Sequence, residues 1–316
     1  MDIVVDKEER WKVAALALLI DLAFGEPPDR WHPVVWMGKL VERLERHSSK
    51  RGAVRQVIYG GAAEALAIAA ATLPVWLLER TARATHIPRV LFSALLLKPT
   101  FAAKTLFLHH EQVERALKMR DLEGARKAVG RIVSRDVNEL DEGKVAAAAI
   151  ESLAENAGDS VVAPLLFYAV FGLPGAYGYR MANTLDAMWG YRGRYEYLGK
   201  VAARVDDLAN LIPSRLTALA FALSARAVGG AIAEAWKVAL RDSALTASPN
   251  AGWPMAATAG ALGLRLEKVG HYTLNESGRT PVVSDLKRSR HLVGAGLAVA
   301  MAGILLATRA CSKRDD

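Results

Sequence analysis

Cysteine is almost absent from the sequence: Cys311 is the only one among 316 residues. A single thiol excludes an intrachain disulfide framework and a metal site built from several thiolates. Aromatic residues are also few, at 7%, whereas 52% of the residues are hydrophobic and 25 more are glycine. Many small apolar residues with few aromatics are typical of helices that pack closely. The composition therefore predicts an all-α protein.

Several motifs of well-known enzyme classes are missing. The sequence has no G-x-x-x-x-G-K-[ST] phosphate loop, no G-x-G-x-x-G turn after a strand and no H-E-x-x-H zinc helix. The G-x-S-x-G turn of serine hydrolases is absent too. Standard nucleotide, zinc and serine-nucleophile sites are therefore not predicted.

The charge balance is basic, with a net charge of +8. Nucleic-acid binding would favour a dense Lys and Arg run interleaved with aromatic residues, and the sequence has none. Six basic residues lie instead between two apolar stretches: Lys39, Arg43, Arg46, Lys50, Arg51 and Arg55. The positive-inside rule expects such a segment in a cytoplasmic loop. We therefore predict basic membrane loops and no nucleic-acid partner.

Apolar segments that approach the length of a bilayer crossing recur along the chain. Residues 292–307 contain no charge and form the cleanest predicted span. Weaker candidates, interrupted by charges or prolines, are residues 60–78, 90–108 and 161–177. Two further runs, 13–24 and 211–233, contain charged residues and fit buried or interfacial helices equally well.

The longest polar region, about residues 109–160, keeps a helical periodicity. This pattern predicts an amphipathic helical region outside the membrane. No strand alternation is visible. The predicted fold is a polytopic membrane helical bundle in which residues 1–316 form a single membrane-embedded domain that includes the polar region.

A first set of carboxylates precedes the apolar run at residue 161. Glu151 and Glu155 are four residues apart and share a helix face, with Asp159 near the same side if the helix persists. Like charges at this spacing repel each other unless a cation lies between them. Carboxylate and amide oxygens suit Mg²⁺, commonly together with substrate phosphates. The structural alternative is a solvated acidic face.

A second polar set follows in two segments: Asn183 and Asp186, then Asp206, Asp207 and Asn210. Asp206 and Asn210 are predicted to share a helix face. Adjacent carboxylates that lead into an apolar helix are costly unless they bind a cation or pair with a base. Arg204 and Arg215 are the local candidates for such pairing.

Three further polar segments are rich in turn-forming residues or isolated charges: Arg135 with Asp136, the turn from Ser248 to Pro254 that contains Asn250, and the loop from Gly25 to Pro33 that contains His32. Proline, glycine and asparagine fix backbone shape in such turns, which is their structural role. By spacing alone, His32 is a lone histidine and fits a structural role better than a catalytic one.

In this order, the segments resemble the adenosylcobinamide-phosphate synthase family of cobalamin biosynthesis, an integral membrane family. The matching residues are Asp21, Gly25-Glu26-Pro27, His32-Pro33, Arg135-Asp136, Glu151, Ala154-Glu155-Asn156, Asp159, Val162-Ala163-Pro164, Asn183-Thr184-Leu185-Asp186, Asp206-Asp207, Asn210, Pro213, Arg215, Ser248-Pro249-Asn250, Gly252-Trp253-Pro254 and Gly260-Ala261-Leu262. They cover about residues 19–285. Three positions depart from the family pattern: Glu26 replaces a frequent aspartate, Val137 a threonine and Ala187 a serine.

The resemblance implies an enzyme that joins a corrinoid propionate to (R)-1-aminopropan-2-ol or its O-phosphate, using ATP and Mg²⁺. It implies catalytic roles for Glu151, Glu155, Asp159, Asp186, Asp206 and Asp207. The implied Mg²⁺ ligands among them are Glu151, Glu155, Asp159 and Asp206. Substrate or ATP contacts are implied for Arg135, Asp136, Asn156, Asn183, Asn210, Arg215, Ser248, Asn250 and His32.

Two other classes of function fit parts of the sequence. A membrane transporter would also carry intramembrane acids, but it predicts them at mid-bilayer, whereas most acids here lie at helix borders beside turns. A non-catalytic scaffold for cobalamin enzymes would not need so many carboxylates. The expected location is the cell membrane, with several spans and a cytoplasmic active site. Formation of a homo-oligomer or association with other cobalamin enzymes stays open.

Overall fold

The computed structural model describes residues 9–48, 52–82, 88–191 and 193–312. Lys50 and Arg51 of the predicted cytoplasmic loop lie outside these ranges. The chain divides into two compact units, each assembled from separate parts of the sequence. The first unit comprises Met1–Ala102, Ala163–Asn210 and Gly303–Asp316, and the second comprises Ala103–Val162 and Leu211–Ala302.

Almost all regular structure is helical, as predicted. In chain order the helices are α1 (Arg10–Phe24), α2 (Pro33–Arg46), α3 (Ala53–Ala82), α4 (Arg89–Leu97), α5 (Ala103–Lys118), α6 (Leu122–Val129), α7 (Glu142–Ala157), α8 (Ala163–Trp189), α9 (Lys200–Ala209), α10 (Leu211–Leu223), α11 (Ile232–Asp242), α12 (Gly252–Leu262) and α13 (Val283–Ser312). A hairpin of β1 (Leu266–Lys268) and β2 (Tyr272–Leu274) pairs antiparallel. The sequence does not indicate this hairpin, because three-residue strands are too short to show a strand alternation.

Four helical segments of the described chain are long and apolar enough to cross a membrane: Ala53–Ala82, Arg89–Lys118, Glu142–Trp189 and Val283–Arg309. They contain the four predicted spans, including the charge-free run at 292–307. The two runs with embedded charges form shorter helices, α1 with 15 residues and α10 with 13. The prediction of a polytopic helical membrane protein is therefore confirmed.

Glycines bring α9 close to its neighbours in the first unit. A Cβ on Gly60 of α3 would lie 2.1 Å from the carbonyl oxygen of Leu198, and one on Gly199 would lie 1.8 Å from that of Trp189. No side chain fits at either position. The segment that leads into α9 therefore lies directly against the backbones of α3 and α8, which brings the acids of α9 beside both helices.

The second unit encloses α7 on nearly all sides. This helix packs against α5, α12 and β1, and every residue from Val145 to Ala154 is buried. Helices α5 and α6 bury one face each, which fits the amphipathic pattern of the polar region. This packing of α7 buries the side chain of Glu151 inside the second unit.

Helix α8 breaks at Gly172, whose φ of 72° is left-handed. Pro174 follows, and it has no N–H to donate to the carbonyl oxygen of Val170. Arg10 of α1, which is only 3% exposed, donates instead to the carbonyl oxygens of Ala169 at 2.8 Å and Val170 at 2.9 Å. One guanidinium group therefore satisfies the carbonyls that the break leaves open.

Replacing Arg10 by alanine is expected to lower the melting temperature of the detergent-purified protein clearly. Hydrogen bonds to charged groups contribute about 1.5–3 kcal/mol each, and both acceptors would be left without their donor. Lys12→Ala is the control, because Lys12 pairs with Glu9 at 3.3 Å on the surface and exposed pairs contribute at most about 1 kcal/mol. Equal melting temperatures for the two variants would contradict the role given to Arg10.

Candidate active site

Asp206 on α9 is the centre of a hydrogen-bonded group in the first unit. Asn183 of α8 donates its side-chain amide to Asp206 Oδ1 at 3.2 Å, and Asn210 donates to Asp206 Oδ2 at 3.0 Å. Tyr179 of α8 donates its hydroxyl to Asn210 Oδ1 at 2.9 Å, which fixes the orientation of that amide. The prediction that Asp206 and Asn210 share a helix face is confirmed, and both oxygens of Asp206 are held by neutral donors.

Further carboxylates surround Asp206. The charges of Asp186 and Asp206 act on Glu64 of α3, and the charge of Asp207 acts on Asp206. Burial raises the pKa of Asp206, the two amide hydrogen bonds lower it by less, and the neighbouring Asp207 raises it further. Arg204 reaches Asp207 at 3.8 Å but is itself largely exposed. The site is therefore anionic, and it is suited to a cation or an ammonium group.

We call this group the Asp206 cluster; its members are Glu64, Tyr179, Asn183, Asp186, Asp206, Asp207 and Asn210. Sequence reasoning missed Glu64 and Tyr179. Glu64 is 3% exposed, and neither of its carboxylate oxygens has a hydrogen-bond donor among the described residues. In the sequence, Glu64 is marked only by being the single acid inside a predicted span. Acids in such positions are often functional.

A second ionic group lies in the second unit. Arg135 forms an ion pair with Glu151 of α7, and Tyr272 of β2 interacts with the same carboxylate. Burial raises the pKa of Tyr272 strongly, and the negative charges of Glu151 and Glu155 add to the effect. The hydroxyl of Tyr272 therefore stays protonated and can donate. Sequence reasoning missed Tyr272, because the hairpin that brings it here was not predicted.

The helix of Glu151 persists to Asp159, which is the condition for Asp159 to lie near the same side, but it does so through a π-helical turn at Gly158–Val162. A π turn contains an extra residue, so Asp159 is shifted from the position that a continuous α-helix would give it. Asn156 donates to the carbonyl oxygen of Ser152 at 2.9 Å within α7. Asp136 is exposed and accepts from the backbone N–H of Asn138 at 3.0 Å, which stabilises a local turn.

Arg215 of α10 and Asn250 form a third polar group, also in the second unit. Arg215 donates to Asn250 Oδ1 at 3.2 Å, and its guanidinium lies 4.8 Å from the ring centroid of Trp253. Ser248 accepts from the backbone N–H groups of Asn250 and Ala251 at the start of α12. An arginine beside a helix N-terminus provides the positive potential that binds phosphate oxygens.

His32 belongs to an ionic network in the first unit. Its Nδ1 accepts from the backbone N–H of Val34 at 3.2 Å, and its Nε2 lies 2.7 Å from Glu26 Oε2. Lys98 lies 2.6 Å from Glu26 Oε1 and 2.9 Å from Asp21 Oδ1. Because Nδ1 accepts a hydrogen bond, the proton resides on Nε2 and is donated to Glu26. His32 is thus also the N-cap of α2.

The pKa of Glu26 makes the stability of this network depend on pH. Burial alone would raise this pKa, but hydrogen bonds from His32 and Lys98 outweigh it and hold the pKa below its ordinary value of 4.5. A lowered folded-state pKa stabilises the protein above the unfolded-state pKa, and the contribution disappears as the pH falls through the folded-state value. We expect wild type to melt above Glu26→Gln at pH 7 and the difference to shrink below about pH 4.5. A difference that stays constant down to acid unfolding would contradict this.

A cavity of about 840 Å³ adjoins this network in the first unit, and Glu26 and Lys98 line it. The remaining lining is mainly apolar and includes Trp31, Trp36 and Ala71. Large cavities with apolar walls and few polar groups are the usual form of small-molecule sites. No sequence signal indicated this cavity, because its walls come from segments far apart in the chain.

The predicted site residues are divided between the units. His32, Asn183, Asp186, Asp206, Asp207 and Asn210 lie in the first unit, and Arg135, Asp136, Glu151, Glu155, Asn156, Asp159, Arg215, Ser248 and Asn250 lie in the second. Within the described ranges, no three Asp, Glu, His or Cys side chains are placed to hold one metal ion. The assignment of catalytic, substrate-binding and metal-binding roles stays a prediction.

Comparison with known proteins identifies relatives along most of the chain. The family model described as CobD/Cbib protein matches residues 14–299. A cobalamin biosynthesis protein CobD of Dehalococcoides mccartyi is 44% identical over 84% of this chain and 86% of its own. The protein of the same name from Chromobacterium violaceum is 43% identical over 89% and 91%. A probable cobalamin biosynthesis protein CobD of Pyrococcus furiosus is 42% identical over 87% and 90%.

No solved structure matches the chain significantly. The family match extends through the segments that contain the Asp206 cluster, the Arg135–Glu151 pair and the Arg215–Asn250 group. The resemblance seen in the sequence is therefore confirmed at the level of the family and its pathway. The chain belongs to the CobD/Cbib family of cobalamin biosynthesis proteins.

Proposed function

We propose that the protein joins the propionate carboxylate of adenosylcobyric acid to the amine of (R)-1-aminopropan-2-ol or its O-phosphate. The reaction consumes ATP and gives adenosylcobinamide or its phosphate. The observation that carries the proposal is the Asp206 cluster, where a buried carboxylate is held by two asparagines among further acids. Such a site binds and deprotonates an ammonium group, and membership in a family of cobalamin biosynthesis proteins supports the substrate class.

A carboxylate does not condense with an amine at neutral pH without activation. In the proposed reaction a propionate oxygen attacks the γ-phosphorus of ATP. The bond from this phosphorus to the oxygen that bridges the β- and γ-phosphates breaks, ADP departs, and an acyl phosphate is formed. The amine nitrogen then attacks the acyl carbon, the bond between that carbon and the phosphate oxygen breaks, and inorganic phosphate leaves with the oxygen. The ammonium form must lose a proton before it attacks and another after the C–N bond forms.

Asp206 is the proposed proton acceptor. Burial raises its pKa and makes it a stronger base than an exposed aspartate, while Asn183 and Asn210 hold both of its oxygens in place. A base whose pKa lies closer to the working pH transfers protons more effectively. Asp186 and Asp207 would attract the ammonium group electrostatically.

The phosphate contacts are proposed for the arginines of the second unit. Arg215 and Arg135 provide guanidinium groups that can bind phosphate oxygens through charge-assisted hydrogen bonds. Arg215 donates to Asn250 in the turn before α12, and the Ser248 hydroxyl orders that turn by accepting from the backbone N–H of Asn250. Glu151 holds Arg135 in place through its ion pair.

Mg²⁺ fits this chain best where carboxylates lack donors. Glu64 has two buried oxygens without hydrogen-bond donors among the described residues, and Asp206 acts on it electrostatically. Since Mg²⁺ usually takes only one or two protein carboxylates together with phosphates, Glu64 could hold it, while Asp206, whose oxygens already accept from two amides, acts as the base. Glu155 and Asp159 stay candidate ligands in the second unit. When bound, the ion would neutralise charge on the transferring phosphoryl group.

The test is an assay of the purified, detergent-solubilised protein. With adenosylcobyric acid, the amine, ATP and Mg²⁺, we expect a product that carries the aminopropanol arm, together with one ADP for each amide formed. Both amines are supplied separately, because the proposal covers either one. Folded protein that forms no amide with either amine would refute the proposal, and substrate flux in proteoliposomes without amide formation would favour a transporter. The active site is proposed to face the cytoplasm, where ATP is available.

A further inference from the structure

The cavity in the first unit combines mainly apolar walls with two charged residues at one side. About 840 Å³ of half-open space is lined mainly by apolar side chains, including those of Trp31 and Trp36, which are exposed residues. At one side it meets Lys98, which is 4% exposed, and Glu26. Lys98 pairs with Glu26, and His32 binds the same carboxylate. An uncharged ligand can therefore contact these polar groups without leaving a charge unpaired.

The walls of the cavity are stiff. Five prolines line it: Pro27, Pro28, Pro33, Pro74 and Pro99. Proline fixes φ near −65° and removes much of the conformational freedom of the chain, and the bond between His32 and Glu26 ties the proline-rich loop to the network. A preorganised wall favours a rigid ligand, because neither partner loses much conformational entropy on binding.

Two helices that line the cavity also carry the Asp206 cluster. On α3, Ala71 lines the cavity and Glu64 lies on the same face, about 10 Å away along the axis. On α8, Met181 lines the cavity, whereas Asp186 lies about 8 Å further along the axis and about 140° around it, and Asn183 lies on the opposite side of the helix. The cavity and the acidic cluster therefore share two helices, and on α3 the same face leads from one to the other over about 10 Å.

We propose that this cavity binds the corrinoid macrocycle, whose apolar faces pack against the tryptophans and prolines while its amide-bearing rim contacts Glu26 and Lys98. The propionate arm then extends along α3 and α8 towards the Asp206 cluster. Amide groups both donate and accept hydrogen bonds, which suits an ammonium and a carboxylate side by side. This inference rests on the proposed function and adds the position of the large substrate.

The test fills the cavity without touching the acids. Ala71→Trp places an indole ring in the cavity, and Ala69→Trp is its matched control, because Ala69 is exposed on the same helix and does not line the cavity. Binding of cobyric acid to the detergent-solubilised full chain is measured by equilibrium dialysis. We expect Ala71→Trp to raise the Kd for cobyric acid at least ten-fold, with Ala69→Trp and wild type equal and ATP binding unchanged in all three.

A second variant, Trp36→Leu, keeps the test valid if Ala71→Trp does not fold. Trp36→Leu removes part of the wall and is expected to raise the same Kd several-fold, whereas Trp76→Leu should leave it unchanged, because Trp76 does not line the cavity. Wild-type cobyric acid affinity in both Ala71→Trp and Trp36→Leu would overturn the proposal. Loss of a copurified phospholipid from Ala71→Trp with cobyric acid binding intact would overturn it too and assign the cavity to lipid.

The outcomes separate this inference from the proposed function. If wild type forms the amide but Ala71→Trp shows an unchanged KM for the corrinoid, the cavity assignment fails and the function stands. If wild type binds cobyric acid in a manner sensitive to Ala71→Trp but forms no amide with ATP and either amine, the function fails and the cavity assignment stands.

Discussion

Replacing Asp206 by asparagine is expected to lower kcat for amide formation by about 10³-fold, the scale of a lost general base. Asparagine has the same shape, but it cannot take a proton from the ammonium group. One of its oxygens is replaced by an NH₂ that faces the amide donor of Asn183 or Asn210. We expect the KM for the corrinoid to change much less than kcat, because Asp206 is proposed to act on the amine.

The control for this variant is Glu196→Gln, which removes an exposed carboxylate shortly before α9. Both variants should be purified as folded protein, with Asp206→Asn melting somewhat below Glu196→Gln because its NH₂ faces an amide donor. Amide formation is then measured at saturating corrinoid, ATP and amine. A kcat for Asp206→Asn close to that of Glu196→Gln would remove Asp206 from the proposed chemistry.

Much of the helical architecture follows from local patterns in the sequence. Long apolar runs predict the four candidate spans, and the four-residue spacing of Asp206 and Asn210 predicts their shared face. Both depend on residues close in the chain, where helix geometry alone fixes the neighbours. The family resemblance depended likewise on short ordered segments.

Contacts between distant segments could not be predicted in this way. Glu64 interrupts an apolar run in the sequence, and only the packing of α3 against α8 and α9 brings it near Asp206. Tyr272 reaches Glu151 because of a hairpin too short to recognise in sequence. The division into two units, each built from separate sequence ranges, depends on the same long-range packing. Helical periodicity carries no information about such packing.

Lys98 is another residue whose partners could not be predicted from the sequence. In the sequence it is only a charge that interrupts a predicted span. In the structure it lies against Asp21 of α1 and Glu26 of the following loop. A lysine inside a membrane segment is tolerated when it is paired within the protein. The same pairing makes the network vulnerable, since two largely buried carboxylates share one cation.

Lys98→Met is therefore expected to destabilise the protein by about 3–5 kcal/mol, the usual effect of removing one partner from a buried ion pair. Methionine fills a similar volume, so the loss is electrostatic. The measurement is a chemical or thermal unfolding curve in detergent, with Lys144→Met as the control, because Lys144 pairs with Asp141 at 3.5 Å in an exposed position. That control should lose at most about 1 kcal/mol.

The combination Lys98→Met, Asp21→Asn and Glu26→Gln distinguishes the electrostatic explanation from loss of packing. It removes the two carboxylates that Lys98→Met would leave without their cation, so part of the stability should return. If the triple variant is less stable than Lys98→Met by the sum of its added changes, then Lys98 stabilises the first unit through its apolar stem. Recovery of stability instead means that the lysine is required because Asp21 and Glu26 are charged.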